Sequence, residues 1–216
     1  MIKNSYKIFI EIVLVFAFLF AGFDSFSQNR NAKNSKKSFS ERLFIGGAFG
    51  FSFGSGGTLL DISPLISYEV TKNFYAGVGL TYKYYNYKDY YMNTDNGILY
   101  NYTTNIFGGS VFARYFLTGI GIPVIEDTFI HVEVEPLVFN NNFTYNPSGS
   151  YIDVYGNRYV RENDQISFTG YFIGGGYRQM LGGRSYMYLE MLWNFNESFY
   201  SPYSNPRIRM GFAVGI

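Results

Sequence analysis

Few residues of this chain are of a type that could do covalent chemistry. His131 is the only histidine, and Glu133 and Glu135 follow it at a spacing of two. On an extended strand that spacing puts all three side chains on one face. Any Ser-His or Asp-His machinery would have to use His131. No G-x-S-x-G elbow accompanies it. The plainer reading is a hydrogen-bonded pair filling an interior, not a general base. Glu133 and Glu135 could touch a cation, yet they lack the ligand number of a dedicated calcium site. With no cysteine, disulfides, thiolate metal sites and thiol catalysis are excluded. The residues therefore predict a protein that is not an enzyme and holds no cofactor or metal.

The 216 residues suit one domain. A formal charge of +1 argues against a nucleic-acid partner. An apolar content of 47% is too high for disorder, and a mean hydropathy of −0.04 is too low for a bundle of membrane helices. Lys3 and Lys7 precede an apolar run over 8–23, shorter than a spanning helix needs, and Ser25 and Ser27 follow. This is the pattern of a cleaved signal peptide over 1–27. An uncleaved anchor helix is the alternative. Residues 28–41 read as a flexible, polar leader, and 42–216 as the folded domain.

Beyond residue 41 the apolar period is two, which means strands. Eight segments alternate: 43–53, 59–70, 74–85, 105–117, 128–139, 167–179, 185–195 and 207–216. One face of each is bulky and free of charge. In the first it carries Leu43, Ile45, Phe49, Phe51 and Phe53, and in the last Ile208, Met210, Phe212, Val214 and Ile216. The other faces collect glycine with Asp61, Glu69, Glu133, Glu135 and Glu190 against Lys83, Arg114, Arg178, Arg207 and Arg209. A water-facing surface would be rich in Lys, Glu and Thr. Small residues with sign-balanced ions suit a narrow interior instead, and the bulky face suits lipid, where charge is costly. The expected fold is an all-β, eight-stranded antiparallel up-and-down transmembrane β-barrel. It closes on itself because backbone groups in hydrocarbon must all be paired.

Several finer expectations follow. His131 joins the ten ions in a polar network, with Arg114, Arg178 and Arg209 pairing to Glu133, Glu135 and Glu190. Tyr68, Tyr82, Tyr84, Tyr115, Tyr177 and Trp193 lie towards strand ends on the apolar face and form aromatic girdles at the two interfaces. The links 86–104, 140–166 and 196–206 are long and read as outer loops, whereas 71–73 and 180–184 are tight inner turns. Gly182-Gly183 supplies positive φ, and Asn73 is available for a left-handed position. Pro64 and Pro136 sit inside strands, cannot donate to a ladder, and suggest bulges.

The segments FGGSVFARYF (107–116), GGGYRQMLGG (174–183) and RIRMGFAVGI (207–216) then carry a resemblance. The chain resembles the small outer-membrane β-barrel proteins of Gram-negative bacteria, of the OmpA and OmpX eight-stranded type. The resemblance implies an outer-membrane location after signal cleavage, with membrane lipid and the barrel assembly machinery as partners. Family members usually end in an alternating strand with a terminal aromatic that this machinery reads, where this sequence has Ile216. The expected function is structural or adhesive: a plugged polar lumen, with Tyr- and Asn-rich outer loops meeting an extracellular protein or glycan. The alternatives are a narrow, porin-like channel for small solutes, a lipid-modifying outer-membrane enzyme using His131, and a soluble lipocalin-like binder.

Overall fold

A computed structural model describes residues 38–216, except 55, 56, 197, 199, 200 and 204, with the backbone alone for 51–54, 123 and 124. The expected signal peptide and most of the leader lie outside the described residues, as do the side chains of Phe51 and Phe53. A short 3-10 turn, Ser40–Arg42, leads into β1 (Leu43–Gly54). There follow β2 (Gly57–Glu69), β3 (Phe74–Asn93), β4 (Leu99–Phe116), the helical turn α1 (Pro123–Glu126) and β5 (Thr128–Tyr145). The chain ends with β6 (Tyr151–Asp153), β7 (Arg158–Gly182), β8 (Ser185–Asn194) and β9 (Arg207–Gly215).

All pairings are antiparallel, and eight of the nine strands form a closed ring: β1, β2, β3, β4, β5, β7, β8, β9 and back to β1. A row of partners can be followed from Glu69 through Tyr75, Arg114, His131, Gly174 and Leu192 to Arg207. Continued through the β1 register, the row returns to β2 about ten residues from its start, a stagger that goes with strands tilted by roughly 35–45°.

One end of the ring carries the tight turns after β2 and β7; the other carries the long hairpins. At the turn end Gly182 and Gly183 have φ of 124° and 57°, so a glycine pair is needed there. Asn73 does not take the left-handed position expected of it. Its Nδ2 instead donates to the Thr118 carbonyl at 2.9 Å, and its own carbonyl accepts from Phe116 N–H.

Two of the three long links, 86–104 and 140–166, are mostly strand. β3, β4, β5 and β7 each run far past their apolar stretches, and the two hairpins are joined by β6, which pairs with β3 on one side and β7 on the other. Stacked Tyr91 and Phe143 (3.9 Å between centroids) and Tyr159 hold this junction. Neither proline shifts the register. The β1–β2 and β5–β7 ladders run straight through Pro64 and Pro136, both of which lie on the outer parity. The irregularities fall elsewhere, between Tyr87 and Tyr91 in β3 (with Asp89 at φ 52°), between Asn141 and Phe143, and between Met180 and Gly182.

Inside the ring, an aromatic layer near the turn end contains Phe44, Tyr75, Phe112, Phe116, Phe129, Tyr186 and Tyr188. Glycines on the inner parity make room for these rings. A Cβ on Gly211 would lie 2.5 Å from the Tyr188 hydroxyl and 2.6 Å from its Cζ. Gly211→Val is therefore expected to overpack the interior and destabilise the fold by roughly 1–3 kcal/mol, read as a lower urea midpoint of the refolded protein.

Candidate functional site

Most of the described charged side chains of the ring interior form two layers. In the first, Arg209 from β9 reaches Glu133 on β5 with Nη2 at 2.6 Å and Nη1 at 3.2 Å, and its Nε donates to Glu190 on β8. Glu190 also accepts from Arg114 Nη2 at 3.0 Å. Arg114 Nε donates to His131 Nδ1 at 2.9 Å, and His131 Nε2 meets Glu133 at 2.8 Å. These partners assign a neutral imidazole with its proton on Nε2. His131 is fully buried and both nitrogens are occupied. The Arg114 guanidinium lies over the Tyr188 ring, 4.2 Å from its centroid, so the ion layer is seated on the aromatic layer.

The second layer lies nearer the loop end. Lys83 donates to Asp61, and Arg207 Nη1 donates to Glu135 at 3.1 Å. Glu135 also accepts from Thr81 Oγ1 at 2.6 Å and from the Tyr203 hydroxyl. Tyr203 belongs to the β8–β9 link and folds over this layer, with its ring 4.5 Å from Arg207 and 4.8 Å from Lys83.

Each sequence-predicted network residue points into the ring, but the pairing differs from expectation. Arg178 does not meet an interior glutamate. It sits at the turn end, where its Nε lies 3.4 Å from Asp127 of the β4–β5 link. Arg207 takes Glu135 instead. Glu69 is buried at the same end. Phe44 and Tyr203 are among the contributors that escape the sequence argument. Phe44 shares the inner parity of Gly46 and Ala48, so counting alternate positions finds it. Tyr203 has no such signal, because it arrives from an irregular link.

Above Tyr203 a cavity of about 540 Å³ opens at the loop end, walled by Tyr85, Tyr90, Tyr102, Tyr155, Asn141 and Asp153 among others. Asp153 organises its rim. One carboxylate oxygen accepts from Tyr155 N–H (2.9 Å) and Asn157 N–H (2.8 Å), the other from Asn157 Nδ2 (3.1 Å) and the Tyr159 hydroxyl (3.0 Å). Burial pushes this carboxyl up, but the four donors outweigh it and hold the group below the usual carboxylate range. The cup is lined by flat rings with hydrogen-bonding groups between them.

On the outer parity the six tyrosine and tryptophan positions separate by height. Tyr68, Tyr115 and Tyr177 lie near the turn end; Tyr82, Tyr84 and Trp193 lie towards the loop end. Above Phe107 and Val138 the outer surface turns polar, with Thr103, Asn105, Asn140, Asn142, Asn163 and Gln165 lining one shallow recess.

The ion layers predict their own sensitivity. Glu190→Gln removes the negative charge that Arg114 and Arg209 share, puts an amide N–H₂ in place of one acceptor oxygen, and leaves two buried cations short of a counter-charge. The expected loss is about 3–5 kcal/mol of folding stability, measured by denaturant titration of the refolded chain.

No protein-family model matches the chain, and no curated protein matches it. Solved structures that match include the crystal structure of the N-terminal β-barrel domain of Pseudomonas aeruginosa OprF. That match has 12% sequence identity and a TM-score of 0.36, and covers 80% of this chain and 95% of that one.

Proposed function

We propose that the ring is an eight-stranded transmembrane β-barrel of a Gram-negative outer membrane, reached after signal-peptide cleavage. Its polar bore is plugged, its role is structural or adhesive, and its partners are membrane lipid, the assembly machinery and an extracellular protein or glycan met by the tyrosine cup. One observation carries the membrane reading. Ile45, Phe49, Ile66, Val78, Leu80, Phe107, Ile130, Leu189 and Phe212 are among the many large apolar side chains exposed on the outer parity, and between the two aromatic levels that parity holds no charged residue. Monomeric soluble proteins rarely expose a contiguous apolar surface of this extent.

The dimensions agree. From Phe107 to Phe116 the strand climbs roughly 3.3 Å per residue, and a tilt of roughly 40° turns that into a belt about 23 Å tall, close to the roughly 25 Å of the apolar band on outer-membrane barrels. The tyrosines and Trp193 then sit at its two margins, with rings in lipid and polar tips reaching water. A sealed bore is supported by the stack of aromatic and ion layers, since eight strands leave an interior that side chains can fill. The closed environment of His131 supports a non-enzymatic role, because no substrate atom can approach either ring nitrogen.

Extraction only by detergent, with gel mobility that changes on heating, is the expected behaviour. A folded protein that stays soluble without detergent overturns the reading. Depth supplies a finer test by folding into lipid vesicles: Val78→Arg at mid-belt is expected to cost roughly 2–4 kcal/mol, and Gln165→Arg above the belt about 0–1 kcal/mol. Planar bilayers holding the protein are expected to show no steady conductance steps, and regular steps would favour a channel.

A further inference from the structure

The ring is not equally closed all round. β1 stays paired with β2 as far as Gly54↔Gly57, and β9 stays paired with β8 as far as Arg207↔Leu192. Between β1 and β9, however, the ladder spans only Phe44↔Gly215 to Ala48↔Gly211. Towards the loop end these two strands run beside each other without a ladder, and a cavity of about 290 Å³ occupies the gap.

Its lining is mixed in a way an intact wall forbids. Phe49, Ile208 and Met210 belong to the outer parity and are exposed, whereas Asp61, Lys83 and Arg207 belong to the bore. A paired strand wall separates these two sets, whereas here both border one cavity. Its polar end also has a donor to spare. Arg207 is 8% exposed, and its Nη2 is buried with no hydrogen-bond partner. Asp61 Oδ2 is 3.8 Å away, beyond hydrogen-bond distance, and already accepts from Lys83. A buried guanidinium arm without an acceptor is costly, and an anionic oxygen placed there would satisfy it.

We infer that the β1/β9 seam is a lateral binding site for a single-chain amphiphile with a carboxylate head. The head sits on Arg207 with Lys83 beside it, and the chain leaves through the gap across Phe49, Ile208 and Met210. This inference rests on the membrane reading above, which puts those three side chains in hydrocarbon. The cavity is at the small end for a ligand pocket, so it suits a compact head and the first carbons of one chain, not a branched phospholipid head.

Palmitate added to the purified protein in a neutral detergent, followed by native mass spectrometry, tests the site. A single palmitate per chain is expected, with hexadecanol, which lacks the charge, bound weaker by about tenfold or more. Arg207→Gln is expected to weaken palmitate by a similar factor. Because that change also removes the cationic partner of Glu135, a second variant stands beside it. The chain has no cysteine, so Phe49→Cys with Met210→Cys, set opposite each other by continuing the β1/β9 register one step past Ala48↔Gly211, can be oxidised to clamp the seam. Oxidation should abolish uptake, and reduction of the same sample should restore it. Equal binding by the oxidised and reduced forms, or by palmitate and hexadecanol, overturns the site. Heat-modifiable mobility is read on the same samples. A protein that shifts on heating but takes no palmitate overturns the seam site alone, and one that never shifts overturns the membrane reading and the site with it.

Discussion

A closed antiparallel sheet leaves each side chain one of two destinations. The pleat sends successive residues to opposite faces, and closure turns those faces into a bore and an exterior. Nothing along a strand can change sides without a bulge, and the described bulges fall only near strand ends, clear of the central ladders. The rest of the structure answers to this constraint. Charges on the inner parity of β2, β3, β4, β5, β8 and β9 share a space only a few side chains wide. They must meet opposite charges or be buried alone.

The meetings are specific. Arg114 on β4 reaches Glu190 on β8, Arg209 on β9 reaches Glu133 on β5, and Arg207 on β9 reaches Glu135 on β5. These pairs run across the bore, not along one ladder. Each ties strands that are not neighbours, and so each depends on the stagger that brings the two residues to one height. Such pairs add little net stability over a well-packed apolar core, since desolvating the ions offsets much of their attraction. Their consequence is positional: a strand slipped by one residue would turn its ion outward and strand its partner. Glycines opposite Tyr188 and Phe112 serve the same narrow space from the other direction, by letting rings lie against the wall.

The central ring was legible in the sequence because the contrast between its faces is large. Leu189 and Glu190, or Phe212 and Ala213, differ enough that the period of two survives any choice of strand ends. Legibility failed where that contrast disappears. Beyond Tyr85 in β3 and before Asn105 in β4 the residues are mostly Tyr, Asn and Thr on both faces, with Lys88, Asp89 and Met92 among them, so real strand reads as loop. β6 has three residues and exists only because two hairpins lean together around Tyr91, Phe143 and Tyr159. Pairing within the network was equally hidden. Parity says that Arg178 points inward, but only its height says that Asp127 is the carboxylate it can reach. Tyr203 comes from a link with no period at all.

The seam between the first and last ring strands follows from the same sterics. In its paired half β1 and β9 run so close that a Cβ on Gly46 would strike the Phe212 carbonyl. Glycine is required there by the neighbouring backbone. Four residues on, Gly50 is under no such demand, for a Cβ there would touch only the Asp61 side chain, at 3.5 Å. The close approach that holds the lower seam has lapsed, and with it the hydrogen bonds that depended on it. Every other boundary of the ring has a hairpin or a long ladder to enforce its register. This one joins strands at opposite ends of the sequence, with no connecting turn, and its ladder stops at Ala48 and Gly211. A gap here therefore leaves the other seven interfaces and their cross-bore ion pairs intact, whereas opening any of them would separate residues that a continuous ladder holds in place. Arg207 stands at the edge of that gap, tied to Glu135 by one arm of its guanidinium and carrying the other, Nη2, without an acceptor.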